Sequence, residues 1–530
     1  MGKLKQPKTL ELLSIEKSAE WLCNIGEKLI SECKMPFTDD EEDVPTTNKF
    51  THENLDLVVK ISHDLFERYV PYYLYRVLSD ELMKRITELI EKCKNAIEFK
   101  INMAKFHTQI KIAVRLSESL ISIKLRSIDF DELPKMIRTS FYAQLNKLEG
   151  IEHLRLGSVT SGWKTFEMES TLASSLKPMK NLTQLCLNYD CTDKILKVLV
   201  KNCPKLLSLD ITNSKFVTNQ SVDIIMELKN LRIIQLYRTG VTMEGYINLL
   251  LHLPELLDVG RYDELGKCLE FIDEYHPTYG NFKLEHFSSN HATTNQVQIL
   301  CEKFPNLNSI SLFHDEIRLD LMTLIGINKL EKLKLRSCEF YSDRIRDLLE
   351  VKGCNITTLV LEHVDQIDMN ALIYISQFCP ELQTLFICNC NLLLSTSLHY
   401  RYCKLPPFLS LKSLTLIGTC ALEHLEYILS YSHKIKFIHL GSHIPTTDEL
   451  FEKVFLKNEL FYLEELRIMQ SYALTIKSAF MLVNNCSNLQ RLNELESWYC
   501  VYPLQIDELK DYVRRHNLDI DLTSYRKFAT

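Results

Sequence analysis

Glycine is scarce in this chain: 14 residues in 530, beside 15 prolines and 3 tryptophans. That scarcity removes one class of chemistry, because loops that cradle phosphate need clustered glycines to let the backbone approach the ligand. No Gly-x-Ser-x-Gly elbow, His-Glu-x-x-His pair or kinase-type set is present, so no catalytic machinery is expected. His439 lies in IKFIHLGSH without an acid or thiol partner that would make it a base. Excess positive charge is missing too. The formal net charge is −7, which supplies no basic field for a nucleic-acid backbone. Long apolar runs are absent: the stretch 245–257 is shorter than the roughly 18 residues of a membrane span and carries polar breaks. The opening MGKLKQPKTL has no signal-peptide apolar core, and Gln6 stands where a myristoylation signal prefers Ser or Thr. The expectation is a protein of the cell interior, cytoplasm or nucleus. It is expected to bind neither nucleic acid nor membrane, to use no cofactor and not to be an enzyme.

What the chain does have is a recurring phrase, apolar-x-x-apolar-x-apolar. In the stretch 182–211 it occurs twice, as Leu182, Leu185, Leu187 and as Leu206, Leu209, Ile211. Between the copies, Ile195, Leu196, Val198, Leu199 and Val200 form a helical apolar face. Further copies start at Leu120, Ile151, Leu231, Leu307, Leu330, Ile356, Leu382, Leu411, Ile435, Leu463 and Leu489, with degenerate ones near Ile97, Leu256 and Leu284. Spacings of 23 to 31 residues fit one short strand and one helix per repeat. The fold class this predicts is α/β: a leucine-rich-repeat solenoid with a curved parallel sheet inside and helices outside, covering 96–500. One repeat cannot bury its own apolar face, so stacking is compulsory. The phrase is weakest across 256–300, where Gly260, Gly266, Pro277 and Gly280 collect, and a break or bend in the array would fall there.

Residues 1–95 have a different period and read as an all-α N-terminal module. Its helices cover 9–34, roughly 52–70 and roughly 72–93, with an acidic loop at 38–49 and Pro71 between the last two. The stretch 501–530 reads as a last repeat or cap, with a helix over 507–515 and a strand carrying Leu518, Ile520 and Leu522; Trp498, Tyr499 and Tyr502 cover the array's end.

The 17 cysteines are expected to be reduced. Cys186, Cys203, Cys338, Cys379, Cys388 and Cys486 sit in or beside repeat phrases as small buried groups. Cys388-Asn389-Cys390 lacks the second pair a zinc site needs. The joints NCPKL (202–206), FCPEL (378–382) and NCSNL (485–489) resemble the cysteine-containing subclass of leucine-rich repeats, in which the cysteine ends the helix before the next strand. Function is then expected on the solvent-facing strand places, the third, fifth and seventh of each phrase. Asp210, Gln235, Tyr237, Phe313, Lys334, Arg336, Glu362, Phe386, His439 and Arg467 fall there and form the candidate face for a protein partner.

Two segments of the helical module add a second resemblance. Thr9-Leu10-x-x-x-Ser14 followed by Ser18-Ala19 resembles the BC-box that binds Elongin C, with Ser14 in place of the usual Cys and the apolar place, Ala19, one position late. Val70-Pro71-x-x-Leu74-x-x-x-Leu78 resembles a cullin-box, and the same stretch read as Val70-Pro71-x-x-Leu74-x-x-Val77-Leu78 resembles the opening of an F-box, which binds a Skp-type adaptor. Box plus repeats is similar to the Zyg/Zer group and to F-box proteins with leucine-rich repeats. The resemblance implies a substrate receptor of a cullin–RING ubiquitin ligase, in the ubiquitin-conjugation pathway, with Leu10, Leu13, Ser14, Ala19, Val70, Pro71, Leu74 and Leu78 meeting the adaptor and cullin. The other reading is an interaction scaffold with no ubiquitin role, whose helices only cap the array.

Overall fold

The computed structural model describes residues 4–32, 46–95, 103–131, 133, 135–142, 144–158, 161–162, 165–290, 292–313, 319–394 and 404–523. The chain divides into two compact units, Lys8–Leu256 and Leu257–Arg526, the latter together with Met1–Pro7.

The first unit begins with four helices: α1 (Leu10–Glu32), α2 (Thr46–Tyr69), α3 (Tyr72–Asn95) and α4 (Met103–Leu116). Pro71 separates α2 from α3 because it has no N–H to continue the first helix, while its carbonyl accepts from Leu74 N at 3.1 Å to start the next. α1 buries Ile15, Ala19, Leu22, Cys23, Leu29 and Ile30, one stripe at helical spacing. Gly26 lies in that stripe because a Cβ there would meet Leu116 Cδ1 at 2.5 Å. α4 therefore sits on α1 and also packs against α3. The acidic loop at 38–49 and the phrase near Ile97 fall largely or wholly outside the described residues. The helical module nevertheless runs past the boundary expected at 95, to the short turn Ser117–Leu120.

The first repeat also starts later than expected. Its phrase is Leu125, Ile128, Phe130, all buried, whereas Ile123, an inward place of a phrase starting at Leu120, is exposed. Both registers satisfy the pattern; packing of Leu120 under Tyr75, whose hydroxyl donates to its carbonyl at 3.4 Å, selects the second. From there five strands, β1 (Ser127–Asp129), β2 (His153–Leu156), β3 (Gln184–Leu187), β4 (Ser208–Asp210) and β5 (Ile233–Gln235), form one parallel sheet in chain order.

The second unit holds nine parallel strands, also in chain order: β6 (His286–Ser289), β7 (Ser309–Phe313), β8 (Lys332–Glu339), β9 (Thr358–Asp365), β10 (Thr384–Asn391), β11 (Ser413–Thr419), β12 (Phe437–Leu440), β13 (Glu465–Ile468) and β14 (Arg491–Asn493). The phrase at Leu256 forms no named strand. Its third apolar place is Arg261, and the Asp258 carboxylate takes the Gly260 N–H at 2.7 Å in a local turn with Gly260 at φ +68°.

Repeats are joined by capping and by shared polar contacts. Cys203, Cys379 and Cys486 each end a helix, with backbone N–H groups donating to Leu199, Ile375 and Leu482. The Cys203 thiol also donates weakly to the Met179 carbonyl of the repeat before, at 3.4 Å. Helices open on caps such as Thr192, which accepts from Ile195 N, and Thr447, which accepts from Leu450 N. Asp193 accepts from Thr218 N, Thr218 Oγ1 and Ser221 Oγ of the next repeat, and Asp448 accepts the same trio from Thr475 and Ser478. Burial opposes ionisation of Asp448, but the Ser478 and Thr475 donors outweigh it and hold its carboxyl below the ordinary value. A depressed carboxyl pKa contributes stability above about pH 4 that is lost as pH falls through the folded value. Asp448→Ala is expected to cost about 2 kcal/mol at neutral pH, and less below pH 3, as read from urea midpoints.

At the end of the second sheet, Trp498 is fully buried and its indole N–H donates to Ile468 O at 3.3 Å, while Tyr499 and Tyr502 remain exposed. A helix over Pro503–Arg515 follows. The strand expected over 518–522 is reduced to two isolated bridges, antiparallel between Leu4 and Leu518 and parallel between Arg491 and Asp521, with Leu518 and Leu522 buried.

Candidate protein-interaction surfaces

Two cross-contacts fix how α1 and α3 lie. Tyr73 Oη approaches Glu11 at 3.4 Å, and Lys92 Nζ bonds Glu27 at 2.8 Å, sequence offsets of 62 and 65. The near-constant offset means that the helices run parallel, so the starts of the two box-like segments come together. At that end Leu10 is 81% exposed and Leu13 42% on α1, and Tyr73 and Val77 are exposed on α3. Ser14 is also exposed and turns its hydroxyl back to the Leu10 carbonyl at 2.7 Å. Pro71 is exposed, and Val70 and Leu74 are half-buried. Ala19 and Leu78 are a correction: both are fully buried, because they fall on the stripes that α1 and α3 turn toward each other and α4. They hold the module together and offer no surface. Val77 belongs to the F-box-like stretch; sequence reasoning missed Tyr73, and also Leu57, Ile61, Leu65 and Tyr69, an exposed apolar row on α2. The missed signal was spacing by four along α2 on a side distinct from its buried Leu55 and Phe66.

On the first sheet, strand register places Asp129, Arg155, Cys186, Asp210 and Gln235 in one row. Arg155 Nη1 approaches Cys186 Sγ at 3.4 Å, and that thiol donates to Asp210 at 3.4 Å. Burial, then the Asp210 charge, push the Cys186 thiol up, so it stays protonated. Asp210 and Gln235 are register partners on β4 and β5. Tyr237 lies past the strand end under the Arg238 guanidinium, 5.2 Å from the ring centre.

On the second sheet, one row reads Ser311, Lys334, Val360, Phe386, Thr415, His439 and Arg467. The next row reads Phe313, Arg336, Glu362, Cys388 and Ile417. Glu362 receives Lys334 at 2.6 Å and Arg336 at 2.9 Å, and Arg467 pairs with Glu494 at 3.2 Å. These cations, expected as separate contact points, are thus partly neutralised within the face. Between the two charged groups lie half-buried Val360, Phe386 and Ile417 and exposed Phe437, of which the sequence singled out only Phe386. Burial, then Arg467, lower the His439 pKa, leaving a neutral ring at pH 7. Such an apolar centre with a charged rim has the composition of a protein-binding patch.

Among the described residues, every cysteine is free, no group of three or more His, Cys, Asp or Glu is placed to hold a metal ion, and no helix is long and apolar enough to cross a membrane. Burial pushes the Cys203, Cys379 and Cys486 thiols up to about 12, so they pack as neutral groups.

Stacked parallel strand–helix repeats behind a helical module define a leucine-rich-repeat protein. No family model matches the sequence, and no curated protein matches it significantly. In structure the chain is similar to the yeast Rad7–Elc1 complex, at 13% identity and TM-score 0.44, over 95% of this chain and 100% of that one. It is also similar to the Leptospira interrogans leucine-rich-repeat protein LIC12759, at 14% identity and TM-score 0.34, over 78% of this chain and 91% of that one. A third likeness is to the Arabidopsis receptor kinase HAESA, solved with the peptide hormone IDA and the co-receptor SERK1. It has 12% identity and TM-score 0.24, over 72% of this chain and 63% of that one.

Proposed function

We propose that this chain is a non-catalytic substrate receptor of a cullin–RING ubiquitin ligase, acting in the cytoplasm or nucleus. It binds an Elongin C or Skp-type adaptor at the joint start of α1 and α3, and a protein substrate on the solvent side of its sheets. The observation that carries this reading is that the parallel α1 and α3 bring two box-like segments distant in sequence to one end, where Leu10, Leu13, Tyr73 and Val77 are each exposed. Large apolar side chains grouped on a helix surface are a common mark of a partner site. Affinity capture of the full chain from cells, followed by mass spectrometry, is expected to recover one of the two adaptors together with a cullin. Recovery of neither adaptor would sink the proposal.

The scaffold reading has its own support. The module also contacts the segment that leads into the first repeat: His63 Nε2 lies 2.8 Å from Ile121 O, and Lys124 Nζ donates to Val70 O at 3.0 Å. A cap needs those inner contacts and gives no role to the outward Leu10 and Leu13, so the capture experiment separates the two readings.

A further inference from the structure

A cavity of about 550 Å³ opens beside the ends of the first unit's strands, away from the row that carries Asp210 and Gln235. Its lining includes Tyr189, Asn213 and Arg238, which occupy equivalent places after β3, β4 and β5. All three have left-handed backbones, φ +69°, +63° and +58°. Asn adopts that conformation readily; Tyr and Arg do so at some cost, where Gly would fit freely. The fold thus holds an aromatic ring, an amide and a guanidinium at one level of three successive repeats. Backbone bonds keep them there, Tyr189 N to Thr212 O at 3.1 Å and Asn213 N to Tyr237 O at 2.8 Å.

Lys215 and Phe216 add to the wall, together with Ser161 and Gly162. Phe216 is braced by Phe166 with ring centres 4.5 Å apart, yet 40% of it stays exposed, as does 41% of Tyr189. Neither Lys215 nor Arg238 has a carboxylate partner among the described residues; Arg238 rests on the Tyr237 ring instead. The nearby acid, Asp190, is fully buried and accepts from Ser158 Oγ at 2.9 Å. Two uncompensated cations, an amide donor and two open aromatic faces around one cavity select a dianion attached to a ring. We infer that this cavity binds a phosphate monoester whose molecule also carries an aromatic ring, the phosphate on Lys215 and Arg238 and the ring against Tyr189 and Phe216. A phosphotyrosine of a protein partner and a free nucleoside monophosphate share that chemistry. The site is independent of any adaptor.

Calorimetric titration of the full chain with phenyl phosphate, inorganic phosphate and phenol tests this. Phenyl phosphate is expected to bind with a millimolar or lower Kd, with inorganic phosphate and phenol each at least tenfold weaker. Lys215→Gln and Arg238→Gln should each weaken phenyl phosphate about tenfold, the loss of one charge-assisted contact. Both side chains are exposed, so the melting temperature should stay at the wild-type value, and Lys215→Met repeats the test with the stem kept. A phosphotyrosine peptide and adenosine monophosphate then tell the two sources apart: whichever gains over phenyl phosphate names the source. No heat with phenyl phosphate up to about 10 mM, or an unchanged affinity in the Lys215→Gln/Arg238→Gln double variant, would overturn the inference.

Discussion

Trp498→Ala is expected to destabilise the second unit by about 4 kcal/mol, the range for removing a large aromatic from a packed interior. The indole is fully buried at the end of the nine-stranded sheet, and a parallel bridge ties Trp498 to Ser471. Truncation leaves a cavity and also strips the Ile468 carbonyl of its indole donor. Every repeat depends on its neighbour for burial, so a defect at the terminal repeat lets the array fray inward from that end. Amide hydrogen exchange should therefore quicken first in β14 and β13, while β6 and β7 keep their protection. Trp498→Phe should recover about half of the loss. A cost below about 1 kcal/mol for Trp498→Ala would show that the last turn, not the indole, seals the sheet.

Leu10→Ala combined with Leu13→Ala is expected to weaken adaptor binding at least about a hundredfold, as two truncated anchors of an interface do, with no change in melting temperature. Both side chains already face water, so little folding energy is lost with them. Leu78→Ala is the converse. That side chain is fully buried, and its truncation should cost about 2 to 5 kcal/mol in the helical module while leaving the exposed group chemically intact. Equal loss of binding from Leu78→Ala and from the double variant, with both destabilised alike, would mean that the exposed leucines act only through the fold.

The repeat architecture could be read from the chain because each phrase states its own strand: a residue at Leu209 or Leu385 is apolar for the same local reason in every copy. Joints were equally readable, since Cys203, Cys379 and Cys486 each end a helix as their place in the phrase predicts. What the pattern could not supply is what non-local contacts decide. Leu120 and Leu125 both begin acceptable phrases, and only packing under Tyr75 assigns the strand to the second. α4 escaped notice because its apolar positions serve α1 and α3, helices from elsewhere in the chain. The charges on the second sheet were picked one by one, yet Glu362 is shared by Lys334 and Arg336 from the adjacent strand, a pairing set by register. Ala19 and Leu78 matched a motif by spacing, but spacing does not say which side of a helix meets its neighbour.

The central claim is that the joint start of α1 and α3 receives an adaptor. Titrating the purified full chain with purified Elongin C, and separately with a purified Skp-type adaptor, tests it most directly. The account predicts saturable one-to-one binding to one of them, with Kd at or below the micromolar range, abolished by Leu10→Ala with Leu13→Ala. Absence of binding to both adaptors by a folded chain, or binding that the double variant leaves intact, would contradict it.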